Sequence, residues 1–183
     1  MRKLVYTIIT TLDGYIDNDD YEPTDDEHAF ANRQIDESGA IVFGRVMHGM
    51  LVPFWDTFDV NDTSVPAVHR EFAKFFQMKP RYVVSRTLDK VEDNATLISD
   101  NVVESIAALK EQPGDRLALA CGPRLLATLV GNNLVDEIQI LVRPFIRGGG
   151  KPVFRDIDNP QHLTLLETRA FASGAVLLRY AAA

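Results

Sequence analysis

The sequence predicts an α/β fold of three layers, with a mainly parallel central sheet, covering helices and an antiparallel C-terminal hairpin. Three observations carry this. Short apolar, β-branched runs alternate with segments of helical periodicity through the first three-quarters of the chain. Two of those runs end in Gly, continue into an Arg and open onto a helical pattern: Ala40-Ile41-Val42-Phe43-Gly44-Arg45 and Leu117-Ala118-Leu119-Ala120-Cys121-Gly122-Pro123-Arg124. The last quarter holds two strand-like runs joined through Ser173-Gly174, a hairpin signal.

The elements follow in order. Residues 4–10 form a buried first strand, with Asp13-Gly14 as the turn after it. Residues 18–26 are acidic and contain Pro23, which predicts a solvated loop. Thr24 with Glu27 three positions on matches a capping box, opening a helix to about Ser38 that Gly39 stops. After strand 40–43, a second helix runs from Gly44 to about Leu51 and ends before Pro53. Val68, Phe72, Phe75 and Phe76 give 66–77 an amphipathic helical pattern. Short strands are expected at 82–85 and 96–98, and a helix capped by Asn101 runs through Lys110 to Pro113-Gly114. Strand 117–120 and the helix after Gly122 follow, the latter stopped by Gly131-Asn132-Asn133. Ile138, Ile140 and Val142 alternate as a strand, and 162–170 with 175–180 form the closing hairpin.

The 183 residues read as one domain, 1–183, too short for two separate cores. A net charge of −7 argues against general nucleic-acid or anionic-membrane binding, which need a basic surface. One cysteine, Cys121, excludes an internal disulfide, and four scattered histidines show no metal-ligand spacing. The N-terminus enters a strand pattern at once, without an apolar leader, so a cytoplasmic location is the expectation.

In doubly covered parallel sheets, ligands bind beyond the carboxyl ends of the strands. That rule gathers four loops, 10–14, 44–47, 85–88 and 121–125, and places Arg45, Arg86 and Arg124 in three of them. A helix N-terminus offers free N–H groups and partial positive charge, and Arg adds a planar, always-charged fork. Together they suit a phosphate-rich ligand such as a dinucleotide. The alternative for each Arg is a solvated residue or a surface ion pair.

The order of these motifs resembles the dihydrofolate reductase-like fold, and within it the branch of the reductase domain of bacterial riboflavin biosynthesis. The resemblance covers nearly the whole chain. It rests on Thr11-Leu12-Asp13-Gly14, Phe43-Gly44-Arg45, Val83-Val84-Ser85-Arg86-Thr87-Leu88, Leu134-Val135-Asp136-Glu137, Gly148-Gly149-Gly150-Lys151-Pro152-Val153-Phe154 and Ser173-Gly174-Ala175-Val176. It implies NADPH as cofactor and hydride transfer to a small molecule. By this resemblance Gly44, Arg45, Val46 and Met47 meet the phosphate side of the cofactor. Ser85, Arg86 and Thr87 hold the adenosine ribose and its 2′-phosphate. Gly122, Pro123, Arg124 and Leu125 receive the pyrophosphate, and Thr11, Asp13 and Gly14 line the nicotinamide. The chain departs from the family pattern at Met47, where a phosphate-holding Thr is usual, and at Cys121-Gly122-Pro123, which replaces a glycine pair.

Glu27 is the catalytic candidate, as the carboxylic acid that folate reduction requires, with the capping-box reading beside it. Phe30, His48 and Trp55 are candidates to line the substrate pocket. No segment resembles a clamp for a folate tail. The expectation is therefore a reductase like 5-amino-6-(5-phosphoribosylamino)uracil reductase, or a relative with another substrate, ahead of a dihydrofolate reductase. A nucleotide-binding or sensor protein without chemistry is the alternative from another class. The apolar terminal hairpin offers a surface for a homodimer.

Overall fold

The computed structural model describes residues 1–16 and 22–182; the part of the expected acidic loop at 18–21 lies outside these. Among the described residues, eight strands form one sheet in the order β4-β3-β2-β5-β1-β6-β8-β7. The strands are β1 (Leu4–Thr10), β2 (Ser38–Gly44), β3 (Arg81–Val84), β4 (Ala95–Ile98), β5 (Arg116–Ala120), β6 (Glu137–Val142), β7 (Leu163–Ala170) and β8 (Val176–Ala182). The helices are α1 (Asp25–Asp36), α2 (Arg45–Asp56), α3 (Ala67–Met78), α4 (Val102–Glu111) and α5 (Pro123–Gly131). Strands β1 to β6 pair in parallel, and β8 runs antiparallel to β6 and β7. The expected three-layer α/β fold with its antiparallel hairpin is the fold observed.

Strand alternation splits the core between the two faces. Leu4, Tyr6, Ala40, Val42, Leu117 and Leu119 pack with Ile106 and Leu109 of α4 and Leu126 and Leu129 of α5. Ile41, Phe43 and Val83 face the other way, onto Val52 of α2 and Phe76 of α3. Phe30 of α1 joins Leu141, Phe171 and Leu177 on that side.

Three local expectations change. Helix α2 does not stop before Pro53 but continues to Asp56. Pro53 lies on the exposed side, while Trp55 packs on Phe72 with ring centroids 4.6 Å apart and Asp56 pairs with the buried Arg81. Tertiary contact at both flanks outweighs the proline's missing donor. Helix α1 ends at Asp36 rather than near Ser38, whose hydroxyl donates to the Gln34 carbonyl at 2.6 Å and starts β2. Thr24 occupies the N-cap position, but its hydroxyl donates to the Asp26 carboxylate and makes no cap bond, so the capping box does not form.

Candidate functional site

Parallel register sets the carboxyl ends of β3, β2, β5 and β1 side by side. Gly44 stands opposite Val84, Phe43 opposite Ala120, and Tyr6 opposite Leu119. The four predicted loops therefore lie in adjacent order along one edge of the sheet.

Gly44 and Gly122 cap α2 and α5, and both helices begin at this edge. The backbone N–H groups of a helix's first turn have no intrahelical acceptor and carry the positive end of the dipole. Pro123 removes one such donor from α5. The two glycines differ in surroundings. A Cβ on Gly44 would lie 3.2 Å from the Cys121 Cβ and 3.4 Å from its Cα, so the missing side chain eases the close approach of β2 to the residue after β5. A Cβ on Gly122 would meet nothing within 4 Å; it would project into open space. Cys121 is buried, and burial pushes its thiol up to about 12, which makes it a packing residue without nucleophilic character.

Arg45, Arg86 and Arg124 are exposed on three neighbouring loops, and none has an ion pair or side-chain hydrogen bond among the described residues. Ser85 is buried, and its hydroxyl accepts from the Thr87 and Leu88 N–H groups, each at 3.1 Å. Its side chain thus shapes the turn that presents Arg86 and Thr87. Val46 is exposed, whereas Met47 is half-buried against the Ile41–Phe43 side of the core. Leu125 packs beneath Gly44, and Pro123 is buried.

The loop after β1 is tied to a second loop, 145–152. Thr11 is fully buried; its hydroxyl donates to Asp13 at 2.6 Å and accepts from the Tyr15 N–H at 3.0 Å. Asp13 also accepts from the Arg147 N–H at 3.2 Å and the Gly148 N–H at 2.7 Å. The Thr11 hydroxyl first, then these backbone donors, pull the Asp13 carboxyl down to about 2. Leu12 N–H donates to the Phe145 carbonyl, Ile16 N–H to that of Lys151 and Val153 N–H to that of Gly14. Gly14 and Gly148 each adopt φ +83°, a conformation that disfavours other residues. Asp13 is thus a clip between two loops rather than an open acceptor. An open depression of about 500 Å³ is lined by Phe145, Ile146, Arg147, Gly148 and Gly149.

Glu27 lies at the same edge, because α1 begins there. The Ala172 N–H donates to Asp26 at 3.0 Å and docks the first turn of α1 on the β7–β8 turn. The Glu27 side chain is buried; it accepts from the Ser173 hydroxyl at 2.6 Å and faces the Arg143 guanidinium at 3.5 Å. Arg143 is placed by register: Thr10 pairs with Val142, and the Arg143 N–H donates to the Thr10 carbonyl at 2.8 Å. Sequence reasoning missed Arg143 and Ser173. The signal for Arg143 was a charged residue directly after an apolar strand that ends at the ligand edge.

The three aromatic candidates are dispersed. Phe30 is buried in the core and meets Phe171 edge-on at 5.9 Å. His48 Nε2 pairs with Glu92 at 2.9 Å on the flank of α2. Trp55 lies near the far end of α2, beside Phe72, at the opposite edge of the sheet from Gly44.

Among the described residues no helix is long and apolar enough to cross a membrane, and no group of three or more His, Cys, Asp or Glu side chains could hold a metal ion. The family model described as the RibD C-terminal domain matches residues 2–177. YyaP of Bacillus subtilis (strain 168), an uncharacterized protein, is 31% identical over 185 residues, covering 98% of this chain and 94% of that one. A Thermotoga maritima diaminohydroxyphosphoribosylaminopyrimidine deaminase/5-amino-6-(5-phosphoribosylamino)uracil reductase superposes with a TM-score of 0.68 at 16% identity, covering 100% of this chain and 57% of that one. Enterococcus faecalis dihydrofolate reductase complexed with NADP(H) gives a TM-score of 0.65 at 13% identity, covering 98% and 96%.

Proposed function

We propose, because this chain belongs to the RibD C-terminal domain family, that it is an NADPH-dependent reductase of a small molecule. The substrate class we favour is that of 5-amino-6-(5-phosphoribosylamino)uracil or a related polar heterocycle. One observation carries the reading: three exposed, unpaired arginines share an edge with two glycine-capped helix N-termini. A phosphorylated dinucleotide supplies the anions this edge lacks.

The residues fit that cofactor. The open space in front of Gly122 admits a phosphate against the first turn of α5, and Arg124 and the Leu125 N–H stand beside it. Gly44 shapes its junction by packing, so Arg45 and the Val46 and Met47 N–H groups are the contacts there. Arg86 and Thr87, held by Ser85, take the 2′-phosphate. When bound, the cofactor supplies a hydride. Thr11 and Gly14 form its nicotinamide side, and Asp13 keeps that loop in register with 145–149 through the bonds described above.

Glu27 is the substrate-side residue. A carboxylate that accepts from Ser173 and faces a guanidinium is an ion-paired acceptor, unlike an isolated acid in an apolar pocket. Its role is to orient a donor-bearing ring rather than to deliver the proton of folate reduction. Phe30 lies one turn along α1 from Glu27, beside Phe171, whereas His48 and Trp55 lie along α2. The exposed Leu163, Leu165 and Leu166 of edge strand β7 form the surface for a homodimer.

The experiment follows oxidation of the reduced nicotinamide by its absorbance, with 5-amino-6-(5-phosphoribosylamino)uracil and with dihydrofolate. Turnover of the first and not the second is expected. NADPH binding without turnover of either would favour a nucleotide sensor, which the ion-paired state of Glu27 also suits.

A further inference from the structure

We propose that His28 and His69 form a two-histidine seat for a divalent transition-metal ion, joining α1 to α3. The two residues are 41 positions apart and show no ligand spacing in the sequence, yet the fold brings their Nε2 atoms to 3.3 Å. Two nitrogens that bind one tetrahedral ion at about 2.0–2.1 Å stand roughly 3.3 Å apart. Without an ion the two Nε2 atoms share one hydrogen bond, and the ring centroids, 4.5 Å apart with planes at 68°, bring both tips to the same side, where an ion replaces the shared proton.

The surroundings favour a ligating pair. His28 and His69 both lie part-buried between the two helices, with their Nε2 atoms turned toward each other. The charges acting on His28 are the carboxylates of Asp25 and Glu27 and the opposing guanidinium of Arg143. One turn along α1, the buried Asn32 amide donates to the Val68 carbonyl at 3.0 Å and to Glu71 at 2.7 Å. These bonds fix the spacing of α1 and α3 without using either histidine, so the pair is preorganised. No third His, Cys, Asp or Glu among the described residues joins the pair. The remaining positions on the ion are open to water or to an oxygen or nitrogen of a bound small molecule.

The test uses tag-free protein stripped by a chelator and titrated with Zn²⁺ by calorimetry. One ion per chain is expected, with a higher melting temperature in excess Zn²⁺ because the ion binds the folded state. His28→Gln and His69→Gln should each weaken binding by roughly tenfold or more, and His162→Gln should not. A second measurement needs no variant: substoichiometric Co²⁺ should broaden the imidazole NMR signals of His28 and His69 before those of His48 and His162. No Zn²⁺ binding, binding undiminished in both variants, or first broadening at His48 or His162 would overturn the proposal.

Discussion

The two edges of the sheet treat basic residues in opposite ways. At the amino ends of the parallel strands, each of five buried or half-buried cations has a partner. The Arg2 guanidinium donates to the Asp115 carbonyl, Lys110 pairs with Asp136 at 2.7 Å, and Arg116 pairs with Glu37 at 3.0 Å. Arg179 bridges Glu137 and Glu167, and Arg81 binds Asp56 and Glu92 while stacking over Phe76 at 4.9 Å. At the carboxyl ends, Arg45, Arg86 and Arg124 stand exposed and unpaired. A cation that holds the fold is neutralised within the chain; one kept for a ligand is left in water, where its waiting state is inexpensive. Arg143, at the same end of the sheet, is buried and paired with Glu27.

The largest expected effect lies at the closed edge. Arg81→Leu should remove about 3 kcal/mol of stability, roughly 6–12 °C in melting temperature, by leaving Asp56 and Glu92 without their shared cation. Cofactor affinity in the folded fraction should be unchanged; a melting temperature within about 1 °C of wild type would break the contrast. Glu27→Gln comes next, with a loss of about 2 kcal/mol in chemical denaturation, because it discharges one member of a buried ion pair. A simple cap would have tolerated that change. Gly122→Ala should alter stability by less than about 1 kcal/mol, since the new Cβ meets open space at φ −80°. It should nevertheless weaken cofactor binding in a fluorescence titration, because the methyl occupies the phosphate's place. The smallest effect concerns pH. Burial first, then the neighbouring His69, lowers the pKa of His28 in the fold, so stability should fall slightly as the pH drops below about 6.5, where the unfolded chain takes up the proton. Denaturation of His28→Gln between pH 7 and 5 should show a flatter profile.

Much of this arrangement was legible in the sequence. The strand–Gly–Arg–helix junctions and the order of the loops placed four loops at one edge of the sheet, because local turn chemistry and parallel register act over short distances. The misreadings came from long-range packing. Pro53 looks like a helix stop until Trp55 finds Phe72, and Glu27 looks like a cap until the β7–β8 turn brings Ser173, 146 positions away, to its carboxylate. Asp13, expected on the nicotinamide side, also binds Arg147 and Gly148 on a loop that no local pattern connects to it. Gly44, expected beside the cofactor's phosphates, also leaves room for Cys121, a contact that no local pattern reveals. Gly44→Val therefore tests packing first, and Gly122 is the cleaner probe of the cofactor.

Binding of a nucleotide that carries a 2′-phosphate at the edge of Arg45, Arg86 and Arg124 is tested by parallel titration of NADPH and NADH against wild-type protein and Arg86→Ala. The predicted result is tighter binding of NADPH than NADH by wild type. Arg86→Ala should lose about 1.5–3 kcal/mol toward NADPH, roughly ten- to a hundredfold, with little change toward NADH or in melting temperature. Equal affinity of wild type for the two cofactors, or an Arg86→Ala loss shared equally between them, would rule out a 2′-phosphate site at Arg86.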